Sequence, residues 1–126
     1  MKPHEEWLVK AENDLESSKY LLLSGRPFDD IIVYHSQQCA EKSLKAYLAY
    51  LDREIEKTHD LRLLTDICAS FDSAFMELKE YAVILSPYAQ VYRYPIEKML
   101  PSREETELAI SYADKIFQFV KEKINV

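Results

Sequence analysis

The sequence predicts an all-α fold, an antiparallel up-and-down bundle of about five helices, in one domain spanning 1–126. Three observations predict it. Glycine occurs once, at Gly25, whereas sheets and tight hairpins depend on Gly-bearing turns. Apolar residues recur every three or four positions in successive segments. The breaks between segments are short and carry Pro, Asp or Ser, the residues that stop and start helices. A chain of 126 residues is most simply one domain, burying roughly two-thirds of its unfolded surface.

The first helix is expected over 5–24. Trp7, Ala11, Leu15, Ser18 and Leu22 share one face, and Gly25 stands just past its end, where a left-handed residue terminates helices. The second is expected over 28–52, long and free of Gly and Pro. Projected at about 100° per residue, its apolar arc centres on Phe28, Ile32, Cys39, Ala46 and Tyr50. That leaves Gln37, Glu41 and Lys45, spaced i, i+4, i+8, as a narrow solvent stripe, with Gln38 and Lys42 at its margin. Lys42 reads either as a snorkelling stem or as a fixed charge with a partner. A helix so apolar should be central.

A polar connector, 52–57, leads to Thr58 or Asp60 as cap of the third helix, whose face is Leu61, Leu64, Cys68 and Phe71. Asp72 or Ser73 caps a fourth with Phe75, Leu78, Ala82 and Leu85 on one side, and Pro87 should stop it. Residues 86–101 have no clean period: three prolines bracket three tyrosines and Arg93. Connections of that length are more often functional than short ones. The fifth helix opens on a capping box, Ser102 with Glu105, and carries acids at its start and Lys121 and Lys123 at its end, complementing its dipole.

A net charge of −6 gives no support to general duplex DNA binding or to attraction to an anionic membrane surface. No apolar run has membrane-spanning length and no secretory leader is recognisable. The two cysteines, Cys39 and Cys68, read as small buried hydrophobes in a reducing compartment, so a cytoplasmic location is expected. No structural metal and no cofactor are expected, because no Cys/His cluster or Gly-rich phosphate loop occurs.

Three places carry possible chemistry. His59 lies between two cap residues at a helix start. It is either a packed histidine or a proton donor, proton acceptor or phosphate contact. Arg93, in Y-R-Y-P, is either stacked on Tyr92 or Tyr94 or a bidentate phosphate ligand, with the tyrosines offering faces to a base. The polar row of the second helix is either a solvated stripe with i, i+4 pairs or the lining of a groove or dimer interface. His35 reads as a satisfied core histidine.

Trp7, Ala11, Asp14 and Leu15, then Q-Q-C-A-E-K-S-L-K-A at 37–46, T-H-D-L at 58–61 and Y-R-Y-P at 92–95 follow one another in an order that resembles the HEPN domain, a nucleotide-binding domain of higher eukaryotes and prokaryotes. The resemblance covers essentially the whole chain. It implies an all-α bundle, often a homodimer with a cleft between subunits. Small stand-alone members act beside a minimal nucleotidyltransferase in toxin–antitoxin-like pairs. Other members are metal-independent ribonucleases with a closely spaced Arg and His. Here no histidine follows Arg93, whereas Arg53 and His59 stand at such a spacing. The expected site is therefore His59, Arg93 and Arg53 as catalytic candidates and Gln37, Lys42, Lys45 and Tyr92 as binding residues. The leading expectation is a nucleotide- or RNA-binding partner of a nucleotidyltransferase. The alternatives are a metal-independent endoribonuclease and a structural protein-interaction module.

Overall fold

A computed structural model describes residues 1–95 and 100–124. Among the described residues, five α-helices follow in order: α1 (Pro3–Leu23), α2 (Asp29–Tyr50), α3 (Leu61–Phe71), α4 (Lys79–Leu85) and α5 (Arg103–Ile124). Short 3₁₀ turns, Ser73–Leu78 and Ser86–Ala89, flank α4. The architecture is the expected helical bundle, with α1 and α5 both packed along α2 and with α3 and α4 closing the far side.

The helix boundaries follow from local chemistry. α1 begins at Pro3, whose missing N–H costs nothing in a first turn. It ends at Ser24 and Gly25, the latter at φ +72°, a conformation that glycine adopts without strain. Asp60 caps α3 by accepting from the Arg62 and Leu63 amides, and Asp72 accepts from the Ala74 amide. The capping box of α5 is complete: the Glu105 amide donates to Ser102 Oγ at 3.0 Å and the Ser102 amide to Glu105 Oε1 at 3.2 Å.

The continuous fourth helix expected from the sequence is instead a 3₁₀ turn, a short α-helix and a second 3₁₀ turn. Pro87 stands just past the end of the α-helix, which stops at Leu85, and the path continues only as a 3₁₀ turn. The proline sits in the first turn of Ser86–Ala89, where no N–H donor is required. Part of the expected loop, 96–99, lies outside the described residues.

The core centres on α2. Ile32, Val33, Cys39, Ala40, Leu44, Ala46 and Leu48 are sealed from solvent, together with Leu61, Leu64, Phe75, Leu85 and Ile116 from the surrounding helices. Each such large side chain is worth about 1.5–3 kcal/mol relative to exposure. The Phe75 ring lies 4.4 Å from Tyr47 and 5.0 Å from Phe119, centroid to centroid. Burial pushes the free thiols Cys39 and Cys68 up to about 12, consistent with apolar packing residues.

The expected solvent stripe of α2 is absent. Gln37, Glu41 and Lys45 are 0%, 4% and 7% exposed, whereas Ile31 and Tyr50, the latter placed at the centre of the apolar arc, are more than two-fifths exposed. The reason is non-local. Trp7 of α1 covers Lys45, its ring centroid 5.8 Å from Nζ. The connector after α2 returns across the row and places His59 against Glu41. This path starts at Asp52, which takes a left-handed φ of +56°, a region that Asp tolerates better than most residues.

Candidate functional site

The first cluster is built on Glu41, a buried carboxylate that the fold surrounds with donors. Its Oε2 accepts from Lys45 Nζ at 3.0 Å. Its Oε1 accepts from His59 Nδ1 at 2.8 Å and from Gln37 Nε2 at 3.3 Å. The Gln37 amide also donates to the His59 carbonyl at 3.1 Å, and Gln38 Nε2 donates to Gln37 Oε1 at 2.8 Å. Spacing i, i+4 on α2 supplies Gln37, Glu41 and Lys45; the capped start of α3 fixes where His59 arrives. An ionised carboxylate can only accept, so the proton of the neutral imidazole resides on Nδ1 and Nε2 remains an acceptor. The His59 side chain is 67% exposed. It borders a cavity of about 400 Å³ lined also by Lys57, Thr58, Asp60, Ser86 and Gln90.

A second cluster repeats this logic one turn away. Asp14 of α1 is 8% exposed. Its Oδ1 accepts from His35 Nδ1 at 2.8 Å and its Oδ2 from Lys42 Nζ at 2.7 Å. Burial raises the Asp14 carboxyl, but the hydrogen bonds from His35 and Lys42 outweigh it and hold the group below its usual value. Lys42 is thus a fixed charge with a partner, one of the two roles its position allowed. His35 is half-buried, not a core residue, because Asp14 holds it at the rim of α1 and α2.

Arg93 is exposed and its guanidinium lies 4.1 Å from the Tyr34 ring centroid. The stacking partner is therefore on α2, not the neighbouring Tyr92 or Tyr94. Arg93, Tyr92, Tyr34, His35, Ile31 and Asp30 line a cavity of about 310 Å³. Tyr92 takes a left-handed φ of +72°, which turns the chain so that Arg93 follows back toward α2. Arg53 takes no part in either cavity. It stacks on Phe71 at 4.8 Å, at the end of α3, roughly 15 Å along that helix from its His59 end. The Arg53–His59 spacing in sequence thus brings the two side chains to opposite ends of α3.

The fold brings His59 and Arg93 to one face. Their anchors on α2, Glu41 and Tyr34, are separated by two helical turns and project in nearly the same direction, roughly 10 Å apart along the axis. Gln37 and Lys45 stand behind His59 as buried supports, and Lys42 stands behind His35. Asp14, Asp30, Tyr34 and His35 were not singled out as site residues from the sequence. One signal was available: Asp14 falls on the same buried face of α1 as Ala11, Leu15 and Ser18, where a charge requires a partner. Among the described residues no group of three His, Cys, Asp or Glu side chains is arranged to hold a metal ion, and no helix is long and apolar enough to cross a membrane.

A helical bundle with two carboxylate-clamped histidines and a stacked arginine along its central helix defines a polar-faced all-α domain. The HEPN domain matches residues 4–123. The chain belongs to the HEPN domain family. Among solved structures, TT1696 from Thermus thermophilus superposes with a TM-score of 0.79 at 27% identity, covering 98% of this chain and 99% of that one. ST0689, an archaeal HEPN homologue, superposes with a TM-score of 0.75 at 24% identity over 98% and 99% of the two chains, a likeness of fold. A curated relative from Methanocaldococcus jannaschii, named "Putative toxin MJ1304", is 50% identical over 42 residues. That stretch is 33% of this chain and 26% of the relative, so the match spans about a quarter of that protein's length.

Proposed function

We propose that this HEPN chain binds nucleotide or RNA along the face that His59 and Arg93 share and acts as the toxin-like member of a pair with a minimal nucleotidyltransferase. The observation that carries this reading is the placement of His59 and Arg93 on one face, each anchored to α2. The α2 residues that anchor them, Glu41 and Tyr34, are roughly 10 Å apart along the helix axis, the span of about three stacked nucleotides at 3.4 Å per step. In this reading Arg93 holds a phosphate and Tyr34 and Tyr92 offer ring faces to a base. His59 contacts a second position through Nε2. Gln37, Lys45 and Lys42 act from behind, fixing the carboxylates that orient the two histidines. The acidic chain carries its cations locally, which fits a placed ligand better than a polyanion at large. The relative's toxin name supports the pair model, and a homodimer that doubles the face accords with the family.

Short RNAs and nucleotides titrated against wild type, His59→Ala and Arg93→Ala test this. Micromolar binding that falls by about tenfold in each variant, the value of one charge-assisted contact, is expected. Absence of binding by wild type, or affinity unchanged in both variants, overturns it. Co-purification with a nucleotidyltransferase encoded next to the chain tests the pair, and light scattering tests the dimer.

A second reading, metal-independent endoribonuclease activity, is favoured by one feature: the Glu41–His59 pair leaves a basic Nε2 at a cavity, the arrangement a general base requires. It predicts RNA cleavage in EDTA that His59→Ala abolishes.

A further inference from the structure

Two opposite charges line the cavity between the first half of α2 and residues 92–93, and they do not pair. Asp30 and Arg93 both face the space of about 310 Å³. Among the described residues neither side chain makes an ion pair or a hydrogen bond. Asp29, its neighbour, is by contrast satisfied by Arg103 and Thr106. The geometry explains the separation. Asp30 and Tyr34 are i, i+4 neighbours on α2, so Arg93, lying over Tyr34, is displaced about one helical turn from the Asp30 carboxylate. His35 lines the same cavity; its Nδ1 is committed to Asp14, which leaves Nε2 as an acceptor.

An acceptor-only carboxylate and a donor-only guanidinium one turn apart fit a ligand that carries an anion at one end and a hydroxyl donor at the other. A sugar phosphate has that pattern. Within a nucleic acid strand the ribose 2′-hydroxyl is the sugar's free donor, and deoxyribose lacks it.

We infer that this cavity is a ribonucleotide subsite in which Arg93 holds the phosphate and Asp30 accepts from the ribose 2′-hydroxyl, so that the chain selects RNA over DNA. The inference rests on the proposed nucleotide or RNA binding and adds the sugar as the selected feature. The Tyr34 ring holds the guanidinium plane, and the Asp14–Lys42 pair behind His35 keeps the imidazole orientation fixed. Asp30 also repels any anion not accompanied by a donor, which sharpens the choice against a bare phosphate or a deoxyribose backbone.

The test is a comparison of ratios. Affinities of an oligoadenylate and the matching oligodeoxyadenylate are measured by fluorescence anisotropy for wild type, Asp30→Ala and Arg93→Ala. AMP and deoxy-AMP are run beside them by calorimetry to separate a free nucleotide from a strand. Wild type should favour the ribose form by about tenfold, the value of one hydrogen bond to a charged group. Asp30→Ala should bring that ratio close to one, whereas Arg93→Ala should weaken both sugars together. Circular dichroism and thermal melting confirm that the variants fold. Equal wild-type affinity for RNA and DNA overturns the inference alone, as does a ribose preference that survives Asp30→Ala. If neither a strand nor a mononucleotide binds, the inference and the binding function both fall.

Discussion

Asp14 shows how one side chain converts burial into pH dependence. Its carboxyl lies below the usual aspartate value in the folded chain, because the His35 and Lys42 hydrogen bonds outweigh the burial that opposes them. A depressed carboxyl stabilises the fold fully above its unfolded value and loses that contribution as pH falls through its folded value. Two other aspartates shift the same way: Asp60, mainly through the Arg62 side chain, and Asp72, mainly through Lys123. Stability should therefore decline on acidification from about pH 5 down through and below the ordinary aspartate range. Asp14→Asn should be less stable than wild type at pH 7 and show a flatter decline across that range. Urea midpoints at a series of pH values read both effects, and an unchanged slope in Asp14→Asn would show that the pair is energetically idle. The Glu41 cluster is the more demanding of the two, since Glu41 and Lys45 are both nearly sealed. Removal of one member of such a pair strands the other.

At the scale of elements, the boundaries depend on a few capping contacts. Asp60 is the clearest, because the same residue that starts α3 also fixes where the connector delivers His59. Asp60→Ala should cost about 1 kcal/mol, the usual value of an N-cap, as a shift in the thermal midpoint. It should also weaken ligand binding, through loss of the His59 position. These caps were legible in the sequence because each is written within four residues: Ser102 with Glu105, Asp60 with the amides two and three positions on, Gly25 after Ser24. The burial of Gln37, Glu41 and Lys45 was not legible in the same way. Their i, i+4, i+8 spacing is the spacing of a solvated stripe, and what covers them comes from Trp7 and from His59, distant in sequence. Arg93 likewise was recognisable as a stacked or phosphate-binding cation, but its stack on Tyr34 joins segments almost sixty positions apart in the chain. The polar identity of the site was therefore readable, whereas the pairing that assigns each residue a role required the fold.

The whole molecule is organised around one helix. α2 packs against α1 and α5 along its length and receives α3 and the turn after α4 on its remaining sides. Of the core side chains, Phe75 has the greatest leverage, since it sits between Tyr47 of α2 and Phe119 of α5 at 0% exposure. Phe75→Ala should destabilise by about 3–5 kcal/mol, measured by denaturant unfolding. A loss below about 1 kcal/mol would mean that the neighbouring rings collapse into the space. A fold of this kind, with most contacts between adjacent helices, leaves the face of α2 as a rigid platform and assigns the adjustable parts to the segments that cross it.

The hydrogen bond from the Gln37 amide to the His59 carbonyl has a kinetic consequence. Together with the His59–Glu41 hydrogen bond, it ties the connector to the central helix at two adjacent points. Whenever the connector lifts, His59 loses its carboxylate, the cavity loses one wall, and water reaches Glu41 and Lys45 together. The lifetime of the assembled face is then the lifetime of that one docking, and the deuterium uptake of the 58–61 amides is its clock.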